Sequence, residues 1–177
     1  MLATRRRLVV QVVPHALLEF SRSCLRGAFA GAVSVLALQG VGKLLETKRG
    51  RCGEFSDIAF GVFERLGYAP RHVVDYTDHV WVEVRLEGAW VHVDPCEAAV
   101  DEPLLYEGWG KNLTTILSFD AYAPAPTVAD VTGEYTTDIE GALRRREAEV
   151  TPARFDDLIR NANAELQEIG REAAVAN

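Results

Sequence analysis

One stretch decides the fold: residues 79–94 read HVWVEVRLEGAWVHVD. Apolar and polar side chains alternate on both sides of Glu87-Gly88, which is the pattern of two half-buried strands joined by a tight turn. With the turn at these two residues, His79 and Asp94 fall on the same sheet face as diagonal neighbours. A one-residue bulge would instead send Asp94 to the opposite face. The pattern predicts an antiparallel hairpin that brings a histidine next to an aspartate.

Upstream of this hairpin lies the run Arg51-Cys52-Gly53-Glu54, and a helical repeat begins directly after it. Six apolar residues recur there with the spacing of one helix face. They are Phe55, Ile58, Ala59, Val62, Phe63 and Leu66. Gly67 then supplies a stop signal. Cys52 is therefore predicted at the start of a helix, where free N–H groups and the helix dipole lower the pKa of a thiol and favour the thiolate.

A cysteine at a helix start, followed by a histidine and an aspartate in one hairpin, is the set of groups that a cysteine hydrolase needs. Cys52 is the candidate nucleophile, His79 its base and Asp94 the acid that orients the imidazole. Taken singly, a cysteine is usually a small buried hydrophobic residue, which is how we interpret Cys24 and Cys96. The other histidines, His15, His72 and His92, have no comparable support, and His92 is interpreted as structural.

The second half of the chain predicts a loop and then helices. Residues 121–126 read AYAPAP, a sequence typical of a loop or extended connector. Helix is predicted from Thr137 onward, with residues 144–146 as a solvated arginine face and Thr151-Pro152 as an N-cap with proline at the first helical position. An apolar stripe follows, which we expect to pack on the core. It comprises Phe155, Leu158, Ile159, Ala162, Leu166 and Ile169.

Composition bounds the class of protein. The 177 residues carry a net charge of −7 and are 48% hydrophobic, so the chain can bury one sizeable core and has no basic surface for nucleic acid. Three cysteines favour a reducing compartment over a disulfide scaffold. Residues 1–45 differ, with six Lys or Arg against one Glu. Such a start is also typical of a transit peptide, and the apolar residues 28–38 can mimic a secretory signal but are too short to span a bilayer.

Several motifs occur in the order found in a known family. The segments 43–54, 75–81, 94–97 and 103–111, together with 130–132 and Tyr135, resemble the catalytic core of the cytoplasmic peptide:N-glycanases of the transglutaminase-like superfamily. The resemblance covers about residues 43–160 and implies an α+β, papain-related core. In that fold the nucleophile lies at a helix N-terminus packed on an antiparallel sheet that carries the His and Asp, with a C-terminal helix. We expect a divergent N-terminal segment at residues 1–42, a catalytic core at 43–136 and a helical extension at 137–177.

The resemblance implies hydrolysis of the amide between an asparagine side chain and the first N-acetylglucosamine of N-glycans on misfolded glycoproteins. Cys52 would form an aspartyl thioester, His79 would transfer the protons, and Asp94 would hold the imidazole tautomer. By the same resemblance Glu97 hydrogen-bonds the sugar core. Four further residues are implied to shape the cleft: Arg71, Trp81, Glu83 and Trp90. The implied partners are misfolded glycoproteins and proteasome-shuttle proteins in the cytoplasm, with neither nucleic acid nor membrane.

This chain departs from the family pattern at two points. Phe55 follows Glu54 where the family usually has tryptophan. The family also carries two Cys-x-x-Cys pairs for a structural zinc upstream of the nucleophile, whereas this chain has only Cys24 there, so we expect no metal or other cofactor. Two alternatives stay open. One is a transglutaminase-like protease or acyl transferase with the same triad, and the other is a catalytically silent binding module of protein quality control.

Overall fold

A computed structural model of the protein describes residues 49–121 and 126–175, with the side chains of 169, 170 and 172–175 excepted. The expectations for residues 1–42, for Cys24 and His15, and for most of the loop at 121–126 lie outside these ranges. The elements, in chain order, are α1 Cys52–Arg65, β1 Pro70–Asp75, β2 His79–Leu86, β3 Ala89–Asp94, β4 Ala99–Val100, α2 Leu105–Gly108, β5 Ile116–Asp120, β6 Thr127–Asp130, a short 3-10 helix Thr132–Glu134, α3 Ile139–Glu147 and α4 Pro152–Val175.

The strands form one antiparallel sheet in the order β4-β3-β2-β1-β5-β6. α1 packs against the central strands β2 and β1, and α4 packs against the edge strand β6. The predicted α+β architecture, with a helix before an antiparallel sheet and a helix at the C-terminal end, is confirmed. None of the helices in the described ranges combines the length and the apolar content that crossing a lipid bilayer requires.

The hairpin of β2 and β3 has the register predicted from the sequence. Arg85 pairs with Trp90 and Glu83 with His92, with no bulge between them. Both turn residues have positive φ, 50° at Glu87 and 90° at Gly88, as in the type I′ turns that match the twist of the flanking strands. A register fixed in this way determines which side chains share a face at the far end of the hairpin.

α1 ends where the sequence predicts. Gly67 follows the helix with φ of 89°, and Tyr68 N–H donates to the Phe63 carbonyl at 3.0 Å while Gly67 N–H donates to the Glu64 carbonyl at 3.1 Å. This pair of bonds is the Schellman motif, and the accompanying contact between the Phe63 and Tyr68 rings, 6.2 Å apart, completes it.

The apolar face of α1 is not its most buried face. The buried residues are Glu54, Ser56 and Phe60, whereas Val62 and Leu66 of the predicted apolar face are 50% and 67% exposed. Contacts with the sheet override the apolar repeat: Ser56 Oγ donates to a β2 carbonyl at 2.9 Å, and the Phe60 ring stacks on His72 of β1 at 4.5 Å.

The C-terminal helices match the sequence in one respect and differ in another. α4 begins at Pro152, and its stripe residues Phe155, Leu158 and Leu166 are buried in a cluster with β1, β5 and β6, as predicted. The solvated arginine face was predicted too broadly. Arg144 is exposed, but Arg146 is buried because its guanidinium ion-pairs with Asp130 at 2.7 Å and donates to Thr132 Oγ1 at 2.9 Å.

Candidate active site

Cys52 is the first residue of α1 and is half-buried. The start of the helix is fixed from both sides. Before Cys52, the Arg51 N–H donates to the Glu54 carboxylate at 2.5 Å, which is one half of a capping box. After it, the fully buried Ser56 hydroxyl donates to the carbonyl of Val80, the residue next to His79. The thiol is therefore held at the joint between the helix and β2.

His79 bridges Cys52 and Asp94. Its Nε2 lies 2.6 Å from Asp94 Oδ2, and the ring also shares a hydrogen bond with the Cys52 thiol. Because Nε2 is committed to the carboxylate, Nδ1 is the nitrogen left for the thiol. The geometry brings together the three residues that the sequence singled out as nucleophile, base and orienting acid.

Asp94 is fully buried, and both of its oxygens accept two hydrogen bonds. Oδ1 accepts from the backbone N–H groups of Cys96 at 2.8 Å and Glu97 at 3.3 Å. Oδ2 accepts from His79 and from the Tyr106 hydroxyl, the latter at 2.9 Å. Burial alone would raise the pKa of this carboxyl group, but the hydrogen bond and charge of His79 outweigh burial and hold the pKa below its usual value. Asp94 is therefore an ionised acceptor in a fixed orientation.

The pKa shifts of Cys52 and His79 favour an ion pair between them. Burial would raise the pKa of the thiol, but the hydrogen bond and charge of His79 bring it below its ordinary value. Burial would likewise lower the pKa of His79, but hydrogen bonds with Asp94 and Cys52 raise it to about 9. At neutral pH the arrangement therefore favours a thiolate beside an imidazolium, which is the reactive form of a cysteine nucleophile.

The interpretation of Cys96 as a buried hydrophobic residue was wrong. Its side chain is exposed, and its backbone N–H donates to Asp94 Oδ1. Desolvation at the edge of the site and the negative charge of Asp94 raise the pKa of the Cys96 thiol to about 12. Two cysteines at one site thus differ sharply in acidity.

Three residues assigned to the cleft by resemblance lie beneath the surface. Trp81 is 0%, Glu83 2% and Arg71 7% exposed. Arg71 forms an ion pair with Glu83 and stacks over the Trp90 ring at 4.1 Å. Tyr135 links Trp81 and Glu83, since its hydroxyl donates to Glu83 at 2.6 Å and accepts from the Trp81 indole at 2.8 Å. Trp81 and Glu83 are therefore buried beneath the site, and contact of either with a glycan stays a prediction.

Glu97 and Trp90 are the accessible members of the same group. Glu97 is exposed, and its N–H contact with Asp94 keeps it beside the triad residues. Trp90 is half-buried, with the Arg71 guanidinium lying over its ring. Contact of either side chain with a glycan stays a prediction.

The site also contains residues to which the sequence gave no role. The Trp109 ring is 44% exposed and packs edge-on against His79, with a centroid distance of 5.5 Å. Its loop is anchored by Lys111, whose ammonium donates to Asp75 Oδ2 at 2.9 Å and to the Thr77 carbonyl at 3.0 Å. Tyr106, which is fully buried, donates to Asp94. Both aromatic residues lie in the segment 103–111, which the family resemblance includes but which has no periodic pattern that predicts their contacts.

Among the described residues, no group of three or more His, Cys, Asp or Glu side chains is arranged to hold a metal ion. Residues 1–48, which correspond in position to the zinc-binding segment of the resembled family, lie outside the described ranges.

Comparison with known proteins agrees with this geometry. A profile of the Transglutaminase-like superfamily matches residues 34–95, a range that contains Cys52, His79 and Asp94. The chain is 41% identical over 129 residues to a peptide-N(4)-(N-acetyl-beta-glucosaminyl)asparagine amidase of Gallus gallus. The matched region is a transglutaminase-like domain similar to those of the peptide:N-glycanases. Proteins of the same name from Homo sapiens and Arabidopsis thaliana are each 41% identical, over 128 and 107 residues.

These peptide:N-glycanase relatives are much longer than this chain. The aligned parts cover 71% of this chain and 19% of the Gallus gallus and Homo sapiens proteins, and 59% of this chain and 14% of the Arabidopsis thaliana protein. This chain thus spans less than a fifth of the length of these relatives.

Proposed function

We propose that this chain hydrolyses the amide bond between an asparagine side chain and the first N-acetylglucosamine of N-glycans on misfolded glycoproteins. The observation that carries the proposal is the Cys52, His79 and Asp94 arrangement, with a hydrogen bond of 2.6 Å between the last two. The similarity to peptide-N(4)-(N-acetyl-beta-glucosaminyl)asparagine amidases, whose name specifies an N-acetylglucosaminyl-asparagine bond, supports the choice of substrate.

In the first half of the proposed reaction, the Cys52 thiolate attacks the carbonyl carbon of the asparagine side chain. When the C–N bond breaks, the side-chain carbonyl of the peptide stays bound to Cys52 as a thioester. The imidazolium of His79 gives its Nδ1 proton to the departing nitrogen, so the glycan leaves as a glycosylamine. Free N–H groups in the first turn of α1 lie beside the thiol, where they can stabilise the oxyanion that forms on the carbonyl.

In the second half, the now neutral His79 removes a proton from a water molecule, which attacks the thioester carbon. The Cys52 thiolate leaves, and His79 is again an imidazolium. The peptide carries aspartate where it had asparagine. Asp94 does not change its protonation state in either half; it keeps the Nε2 proton on the imidazole and stabilises its positive charge.

Glycan contacts are proposed for the accessible side chains at the rim. Glu97 would hydrogen-bond the sugar core, while Trp90, supported by Arg71, Trp81 and Glu83, would form the wall of the cleft. By family resemblance we further propose a cytoplasmic location, misfolded glycoproteins and proteasome-shuttle proteins as partners, and no cofactor.

The test is glycan release from a denatured high-mannose glycoprotein in water enriched in 18O. We expect mass spectrometry to find free glycan and aspartate that carries one 18O at each former glycosylation site. Cys52→Ala is expected to abolish both signals, and Cys96→Ala is the matched control because it removes the other thiol near the site.

Three outcomes of this test would contradict the proposal. Release that persists in Cys52→Ala would exclude the thioester route. Cleavage of the peptide chain with the glycan still attached would instead favour the protease alternative. A folded chain whose Cys52 reacts with iodoacetamide but which releases no glycan would point to a different acyl substrate.

A further inference from the structure

A chain of buried hydrogen bonds leads from the loop after β4 to the candidate site. The Glu102 backbone N–H contacts His92 Nδ1 at 3.4 Å, and His92 Nε2 contacts the Tyr106 hydroxyl at 2.7 Å. The hydroxyl in turn contacts Asp94 Oδ2 at 2.9 Å, the same oxygen that binds His79. His92 is 3% exposed, and Tyr106 and Asp94 are 0% exposed.

The direction of each proton along this chain follows from its first member. A backbone N–H can only donate, so His92 Nδ1 is an acceptor and the ring proton must lie on Nε2. The Tyr106 oxygen then accepts from His92, which leaves its own proton for Asp94. Burial lowers the pKa of His92 and keeps its ring neutral, in agreement with one proton per ring.

We propose that Tyr106 and His92 are positioning residues for the Cys52–His79 pair, acting by committing Asp94 Oδ2 to the role of acceptor. With two donors on that oxygen, the carboxylate stays ionised and the proton of His79 stays on Nε2. Nδ1 then faces Cys52 throughout the reaction. The inference deepens the proposed function and rests on it.

Tyr135 provides an internal comparison. Like Tyr106 it is buried, at 1% exposed, and it packs on Trp81, with ring centroids 4.7 Å apart against 4.3 Å for Tyr106. Its hydroxyl also donates to a carboxylate, but that carboxylate is Glu83. Loss of either hydroxyl leaves a similar defect in the same aromatic cluster, but only loss of the Tyr106 hydroxyl removes a hydrogen bond from Asp94.

A pH profile separates a positioning role from a merely structural one. The titratable groups that face Asp94 are the side chains of His79, His92, Cys96 and Tyr106. His92 in addition faces the carboxylates of Glu83 and Glu102. A hydrogen bond donated to a carboxylate favours its charged form, so removal of the Tyr106 proton raises the pKa of Asp94. As the pH falls, the Cys52–His79 ion pair that Asp94 supports is then lost at a higher pH than in the wild type.

The experiment measures the rate at which iodoacetamide alkylates Cys52 in the full chain as a function of pH, with peptide mass mapping as the readout. In Tyr106→Phe, we expect the acid limb of the profile to move up by about one pH unit, the effect of one hydrogen bond to a charged group. For glycan release, kcat should fall about tenfold with KM unchanged, as expected for a group that does not touch the substrate.

Two further variants make the test specific. His92→Leu is expected to reproduce most of the shift, whereas His92→Gln keeps an amide N–H at the position of Nε2 and should restore the profile. Tyr135→Phe should leave the acid limb in place. A Tyr106→Phe profile that coincides with those of the wild type and Tyr135→Phe would overturn the inference.

The same data distinguish this inference from the proposed function. If the alkylation rate of wild-type Cys52 depends on pH as that of an ordinary thiol does, both the inference and the proposed function are overturned. In the other informative outcome, the acid limb of wild-type Cys52 lies below that of an ordinary thiol and moves up in Tyr106→Phe, but the wild type releases no glycan. That result would support the positioning role and refute only the proposed substrate.

Discussion

Asp94→Asn is the substitution with the most direct consequence for the candidate site. Asp94 Oδ1 accepts two backbone N–H groups, so the amide oxygen of asparagine takes that position and its NH2 group is turned toward His79. A donor then faces Nε2, which must become an acceptor, and the proton moves to Nδ1. The imidazole would present an N–H to Cys52 instead of a lone pair and could no longer serve as its base.

The size of the effect follows from the pKa shifts. His79 would lose the contact that raises its pKa to about 9, and Cys52 would return toward an ordinary thiol pKa of about 8.5. At pH 6 such a thiol is only about 0.3% ionised, whereas the pKa of wild-type Cys52 is lower and a larger fraction of it is thiolate at this pH. The greater nucleophilicity of a more basic thiolate offsets roughly half of this difference on a logarithmic scale. We therefore expect alkylation of the variant at pH 6 to be slower, by about tenfold.

The assay is timed alkylation with iodoacetamide between pH 5 and pH 9, followed by peptide mass mapping. Cys96 serves as an internal reference in the wild type, because desolvation and the charge of Asp94 raise its pKa to about 12 and keep it unreactive over this range. Peptide mapping reads the two cysteines separately in the variant, in which the charge of Asp94 no longer contributes to that pKa. The variant should gain rate by about tenfold per pH unit up to about pH 8.5, whereas the wild type should level off at a lower pH. A folded Asp94→Asn protein that alkylates at the wild-type rate at pH 6 would refute the reasoning.

Four other predictions follow from the structure. Glycan release should decline as the pH rises through about 9, because His79 then loses the proton that it gives to the leaving group; a pH–kcat profile that stays flat to pH 10 would contradict this. Arg146→Ala should destabilise the fold by about 2–3 kcal/mol, less than for a fully buried ion pair because its partner carboxylate is one-third exposed. Arg144→Ala, which removes a 70% exposed side chain, should cost less than about 1 kcal/mol. Urea unfolding of both variants compares these values directly. Ala98→Gly should stabilise the fold by about 0.5–1 kcal/mol in the same assay, since φ is 54° at this position and glycine adopts the left-handed conformation without strain. A loss of stability would show that the backbone of Ala98 is not strained. Leu158→Ala should cost about 2–4 kcal/mol through the cavity it leaves between α4 and the sheet, and an unchanged urea midpoint would mean that α4 does not pack as described.

The sequence was sufficient for the elements whose structure is decided locally. Alternation of side chains and a Glu-Gly turn fix the hairpin register, and this register alone places His79 beside Asp94. The start of α4 is equally local, because Thr151-Pro152 satisfies the requirements of a helix N-terminus without help from the rest of the chain.

Features that depend on tertiary contacts could not be predicted in this way. The face of α1 that meets the sheet includes Ser56, whose hydroxyl finds a β2 carbonyl, and no apolar repeat marks a serine as a packing residue. Arg146 is buried because Asp130 and Thr132 happen to lie above it, and nothing in its own helix distinguishes it from Arg144. Tyr106 reaches Asp94 from a four-residue helix that is too short to have a detectable period.

The position of Cys52 on a helix outside the hairpin also sets an order of assembly. His79 and Asp94 meet across a single turn, and hairpins of this kind close within microseconds. Cys52 arrives only when α1 has docked on β2, a contact between segments farther apart in the chain and therefore slower to form. Until then the thiol has no imidazole beside it and reacts as any other cysteine would. An unfinished molecule thus has only an ordinary thiol, and the appearance of the reactive thiolate marks the moment at which folding of the site is complete.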